Sequence, residues 1–122
     1  MPDFAKPDFD FTFDANIERQ RLRTWRDTEP GRAVPNRQVG RMVLGSWNIA
    51  NLGSSQIRTD ADIAVLSEIF TWFDLTAVQE VRGDMRDILR ILEQLPTSFR
   101  LITSDIAGNN ERMCYIYDSD RV

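Results

Sequence analysis

From Met42 onward apolar residues recur in two rhythms. Met42-Val43-Leu44-Gly45-Ser46-Trp47 is a short apolar run of the kind that forms a buried strand, and it ends in a polar residue, Asn48. The stretch DLTAVQEV, from Asp74 to Val81, is a second such run and also turns polar, at Gln79-Glu80. Between them Ile63, Leu66, Ile69 or Phe70, and Phe73 keep helical spacing, behind Thr59-Asp60-Ala61-Asp62, an acidic version of a capping box. A second helical stripe, Met85, Ile88, Leu89, Leu92 and Leu95, has Asp84 as its candidate cap and Pro96 as its stop. FRLITSD and RMCYIYD then predict two strands around the turn-rich IAGNN, a hairpin. The predicted order is β-α-β-α-β-β, which makes this an α/β chain.

Residues 1–40 follow neither rhythm. Asp and Phe alternate in PDFDFTFD, NIERQRLRTWRD predicts one polar helix, and EPGRAVPNRQ has the composition of a linker. The expected organisation is therefore a folded unit over 41–122 and, lying outside that fold, an N-terminal extension or linker over 1–40.

Composition narrows the function. The chain has 122 residues, 42% of them hydrophobic, enough for a core within one domain or part of one. Its formal charge is −4, which argues against a constitutive basic face for nucleic acid, although a bound cation can supply positive charge locally. Residues 1–40 hold 7 basic and 7 acidic side chains and residues 41–122 hold 8 and 12, so the acidity belongs to the folded unit. Histidine is absent, so neither a Ser-His-Asp nor a Cys-His hydrolase can be assembled from these residues alone. The single cysteine, Cys114, permits no intrachain disulfide, and it lies in an apolar strand where core packing is the simpler role. With no long apolar run and no leader-like start, the expectation is a cytoplasmic protein with no membrane association and no obligate protein partner.

A strand, a helix and a second strand form a right-handed unit with parallel strands, and ligands bind such sheets beyond the carboxyl ends of the strands. Asn48 and Glu80 occupy those ends. Adjacent strands lie about 4.8 Å apart, so a carboxamide oxygen and a carboxylate can share one ion. Oxygen donors of this kind suit Mg²⁺, Ca²⁺ or Mn²⁺ rather than zinc. Spacing alone leaves the plainer reading open: Asn is an ordinary turn residue, and Gln-Glu after an apolar run is often simply solvated.

Three motifs taken together resemble a known family. Trp47-Asn48-Ile49, then Val78-Gln79-Glu80-Val81, then Asn110-Glu111-Arg112 ahead of Tyr115-Ile116-Tyr117-Asp118 are similar to the endonuclease/exonuclease/phosphatase superfamily, the deoxyribonuclease-I-like fold. The resemblance spans roughly Met42 to Val122. It implies the N-terminal half of a four-layered α/β sandwich, preceded here by a mostly irregular extension. It also implies Mg²⁺-dependent hydrolysis of phosphodiester or phosphomonoester bonds, with nucleic acid as the expected substrate. Glu80 falls on the family's principal metal-binding glutamate. Asn48 falls on the asparagine that helps position metal and scissile phosphate. Glu111 matches the acid that orients a catalytic histidine. Arg82 matches an arginine that contacts nucleic acid, and Asn109 stands at a substrate-contact position where deoxyribonuclease I carries a tyrosine.

The family's catalytic histidines and its D-x-N motif belong to the second half of that fold. The chain is therefore expected to be an incomplete, inactive first half of a catalytic domain. The alternatives are a phosphatase of the same fold acting on a lipid or nucleotide, and a non-catalytic truncated module. Trp25, Trp47 and Trp72 are expected to pack rather than stack on bases, and Asp60 and Asp62 to favour a helix start rather than form a second metal site. A half-sandwich should also leave one apolar sheet face bare, drawn from alternating residues around Leu44, Val78, Ile102 and Ile116, with the inward set left open.

Overall fold

A computed structural model describes residues 12–28, 34–49, 52, 58–82, 84–105 and 111–122. Most of PDFDFTFD, part of the linker-like stretch, and the hairpin turn with Asn109 and Asn110 lie outside the described residues.

The elements run α1 (Ala15–Thr28), β1 (Leu44–Asn48), α2 (Asp60–Phe70), β2 (Leu75–Arg82), α3 (Arg86–Gln94), β3 (Phe99–Thr103) and β4 (Glu111–Asp118). The protein is a mixed α/β fold with three helices and a four-stranded mixed sheet among the described residues. None of its described helices is long and apolar enough to cross a membrane.

Local chemistry sets the helix ends. Asp14 Oδ1 accepts from the amides of Asn16 and Ile17 at 2.9 and 3.2 Å, satisfying two donors that the first turn of α1 leaves open. At α2 the expected capping box forms: Asp62 N donates to Thr59 Oγ1 at 3.1 Å, and Thr59 N donates to Asp62 Oδ2 at 3.3 Å. For α3 the cap position is Met85, which makes no side-chain cap bond. Asp84, one residue earlier, still accepts from Arg86 N at 2.9 Å. The apolar stripe of α3 is narrower than expected: Ile88, Ile91 and Leu95 are buried, whereas Leu89, about 100° round the helix from Ile88, is exposed.

The sheet order is β1-β2-β4-β3, with β1 and β2 parallel and β4 antiparallel to both neighbours. β4 thus inserts between β2 and β3. Gly45, Thr76, Ile116 and Leu101 share one cross-strand row, and Trp47, Val78 and Cys114 another. Both rows lie under α2 and α3, in a core with Ile63, Phe70, Ile88 and Ile91. Ser67, small and buried on α2, donates to Ile63 O at 2.7 Å and faces Ile91 O of α3 at 3.5 Å, so the two helices approach closely. Gly45 is required by a similar approach, since a Cβ there would sit 3.0 Å from the Phe73 ring. Trp47 meets Phe70 with ring centroids 5.3 Å apart.

The opposite face carries Leu44, Leu75 and Tyr117 in one row and Ser46, Ala77, Tyr115 and Ile102 in the next. Leu44 is 63% exposed and Ile102 54%. Of the residues around which a bare face was expected, Val78 and Ile116 face the helices, and Leu44 and Ile102 face outward.

The polar helix forms as expected, and α1 docks on the outside of α2. Arg23 and Arg19 both bind Glu68, which also accepts from Trp72 Nε1 at 3.2 Å, while Arg26 lies 5.1 Å over the Trp72 ring. Burial pushes the Glu68 carboxyl up, but the hydrogen bonds from Arg23, Trp72 and Arg19 and the Arg23 charge outweigh it and hold it below its ordinary value. Trp47 and Trp72 pack as anticipated, whereas Trp25 is 41% exposed.

Candidate functional site at the carboxyl ends of the parallel strands

The residues singled out in sequence converge on one end of the sheet. β1 ends at Asn48, whose register partner is Gln79, the residue before Glu80. β4 begins at Glu111, whose partner is Arg82. Asn48, Glu80, Arg82 and Glu111 therefore belong to one edge, where β1 and β2 end and β4 starts. Asn109 lies outside the described residues.

The edge is held from below. Ile49 and Leu52 are buried just past β1, and Arg82 N donates to Leu52 O at 2.8 Å. This ties the segment after β1 to the last residue of β2. Gln79 turns toward the bare face, donating to Ser46 Oγ at 3.1 Å. Its side chain braces two strands and leaves Glu80 as the carboxylate at the end of β2.

Glu80 is unusual on two counts. The β2–β4 register shifts between Val78 and Val81: Val78 pairs with Cys114 and Val81 with Arg112, so Gln79 and Glu80 together oppose Met113. This is a β-bulge, and Glu80 takes φ +59°, the one positive φ at a non-glycine residue among those described. A left-handed conformation costs an ordinary residue about 1–2 kcal/mol. In addition, Glu80 Oε2 is buried and makes no hydrogen bond among the described residues. An orphaned buried acceptor costs roughly a further 1–3 kcal/mol. A local arrangement that is unfavourable twice over persists only where the surrounding fold imposes it, and such positions cluster at functional sites.

The sequence pattern carried a sign of this bulge. Strict alternation would bury every second residue, yet Val78 and Val81, three apart, are both fully buried. Two consecutive polar residues between two buried valines mark an inserted residue.

Arg82 and Glu111 pair with each other, Nη1 to Oε1 at 3.6 Å, with both side chains about one-quarter exposed. Arg112 was not among the residues chosen from sequence. Its side chain lies on the helix-covered face with Cys114, and its Nε is the second buried side-chain atom among the described residues that lacks a hydrogen-bond partner. Burial pushes the Cys114 thiol up, with the Arg112 charge drawing it part of the way back. Cys114 is therefore a core residue with little thiolate character, as its strand position suggested.

A divalent cation fits the donor set only in part. The described residues contain no group of three or more His, Cys, Asp or Glu side chains able to hold a metal. Glu80 offers an unused carboxylate oxygen, and Asn48 an exposed carboxamide on the neighbouring strand. One carboxylate with one further oxygen donor matches the way Mg²⁺ is usually held, with water and substrate phosphate filling the other positions. Asp60 and Asp62 take no part: Asp60 pairs with Arg90 and Asp62 closes the α2 cap. A cleft of about 590 Å³ between α1 and α2, lined by Phe13, Leu22, Val65 and Leu66 among others, includes none of Asn48, Glu80, Arg82 and Glu111.

Comparison of the chain with protein families, with curated proteins and with solved structures returns no match.

Proposed function

We propose that this chain supplies the metal-holding edge of a divalent-cation-dependent phosphoesterase, with nucleic acid as its substrate. The observation that carries the reading is Glu80: a strained bulge presents a carboxylate whose buried oxygen has no partner among the described residues, at the end of the sheet where such folds bind ligands. In this reading Glu80 and Asn48 hold Mg²⁺, which when bound stabilises negative charge on phosphate oxygens and on the leaving oxygen. The bulge aims the carboxylate, and Gln79, fixed to Ser46, keeps the neighbouring carboxamide out of the ion's place. Arg82 and Glu111 form a paired wall beside it. The base that takes a proton from the attacking water is not a histidine of these 122 residues.

The finer fold belongs to the same proposal. The bare sheet face with Leu44, Ala77, Tyr115 and Ile102 is the surface against which the second sheet of a four-layered sandwich would pack.

The test is Mn²⁺ binding, followed by paramagnetic broadening of backbone amide signals. Broadening centred on Asn48 and Glu80, lost in Glu80→Gln, is the expected result. Broadening centred elsewhere, or equal in Glu80→Gln, overturns the assignment of the ion to Glu80.

A further inference from the structure

Two buried side-chain atoms without partners stand out among the described residues, and they carry opposite charge. They are also neighbours in the ladder. Glu80 is in the bulge, and Arg112 is the partner of Val81, the next residue along β2. A buried carboxylate oxygen and a buried guanidinium nitrogen on neighbouring rungs, each without a partner among the described residues, would ordinarily satisfy one another, because a charge-assisted bond relieves both desolvation penalties at once. Here neither the Glu80 oxygen nor the Arg112 nitrogen bonds to the other or to any other described group. A ligand that satisfies both must present a positive centre to Glu80 and an anionic oxygen to Arg112. A divalent cation with a phosphate group coordinated to it has that polarity.

Resting on the metal-site reading above, we infer that Arg112 is a substrate-binding residue that donates from Nε to a phosphate oxygen of a cation-bound phosphoester. Arg82, the arginine first suggested by the motif, is less suited to that work. It is already paired with Glu111. Arg112 also shares its face with Cys114, so its donor sits against an apolar floor. There a hydrogen bond to an anion is worth more than at a solvated rim.

The probe is inorganic phosphate, titrated into the full chain with and without MgCl2, with the side-chain Nε–H signals of the arginines followed by NMR. The Arg112 signal is expected to shift on phosphate addition, more strongly with Mg²⁺ present, while the Arg82 signal holds still. Arg112→Lys is expected to weaken phosphate binding about tenfold while leaving Mg²⁺ affinity within about twofold. Movement of the Arg82 signal instead, no movement of either, or unaltered phosphate affinity in a folded Arg112→Lys overturns the inference. The wild-type signal decides the matter even where the variant fails to fold. If phosphate moves Arg112 while Mg²⁺ ignores Glu80, the metal reading fails and the arginine assignment stands. If Mg²⁺ binds at Glu80 and phosphate leaves Arg112 unmoved, the arginine assignment alone fails.

Discussion

The two ends of the sheet treat charge in opposite ways. At the end where β2 begins and β4 finishes, Asp74 is fully buried and fully satisfied: it accepts from Val43 N at 2.8 Å and Arg121 Nε at 3.1 Å, with Arg37 Nε at 3.2 Å. Arg37 in turn reaches Asp118 and donates to the carbonyls of Thr71 and Phe73. Burial alone would raise the Asp74 carboxyl, but the Val43 amide and the two arginines hold it below the ordinary carboxylate range. At the other end, Glu80 Oε2 and Arg112 Nε have no hydrogen-bond partner among the described residues, and Glu80 has a strained backbone. The first end uses its charges to close the fold, fastening residues 37–43 and 121 to the sheet. The second pairs Arg82 with Glu111 but leaves the Glu80 oxygen and the Arg112 nitrogen open among the described residues.

The sharpest way to break this comparison is at the closed end. Asp74→Ala should destabilise the protein by about 3–5 kcal/mol, since it strands two arginines and an amide. Urea unfolding that shows less than about 1 kcal/mol would mean the network is ornamental. Next in size is the contrast between the two sheet faces. Ile116→Ala, under the helices, should cost roughly 2–5 kcal/mol, whereas Ile102→Ala on the bare face should stay within about 0.5 kcal/mol. Equal losses would show that something covers Ile102.

Acid should act through the closed network. Asp74 and Glu68 titrate below their ordinary values when folded. In the unfolded chain they take up protons near pH 4, so between that pH and the lower folded values the unfolded state binds more protons. Their contribution is complete above about pH 4 and is lost as the pH falls through the lowered folded values. Melting temperatures measured down this range should fall, and should fall less steeply in Asp74→Asn. A flat profile in the wild type would remove both carboxylates from the stabilising set.

The smallest expected effect is of the opposite sign. Glu80→Gly removes the left-handed strain and the orphaned oxygen while adding backbone entropy to the unfolded state, so stability should hold or rise by about 1 kcal/mol. Metal binding should be lost in the same variant. A loss of stability there would mean that Glu80 is a structural residue like Asp74, and the contrast between the two ends would collapse.

Much of the fold was legible because its signals are local. The capping box at Thr59, the stop at Pro96 and the order of elements follow from neighbouring residues alone. Asn48 and Glu80 could be placed on one edge because a strand-helix-strand unit has a single favoured hand. The legible part of the site ends there. Arg112, the last residue of the third motif, had only a structural reading in the sequence, and only the register that sets it beside Val81, under the helix layer, makes its Nε a buried donor.

The sequence by itself determined the rhythm of the elements, the faces of the helices and the polar ends of the strands, since these depend on residues within one or two turns of each other. Tertiary structure decided that β4 lies between β2 and β3, and therefore which side of the sheet Val78 and Ile116 share. It also decided that Arg37, Asp74, Asp118 and Arg121, spread over most of the chain, form one closed network while Glu80 and Arg112 stay apart. Those outcomes depend on strand pairing between distant segments. A side chain's partner is fixed by that pairing, and local periodicity carries no record of it.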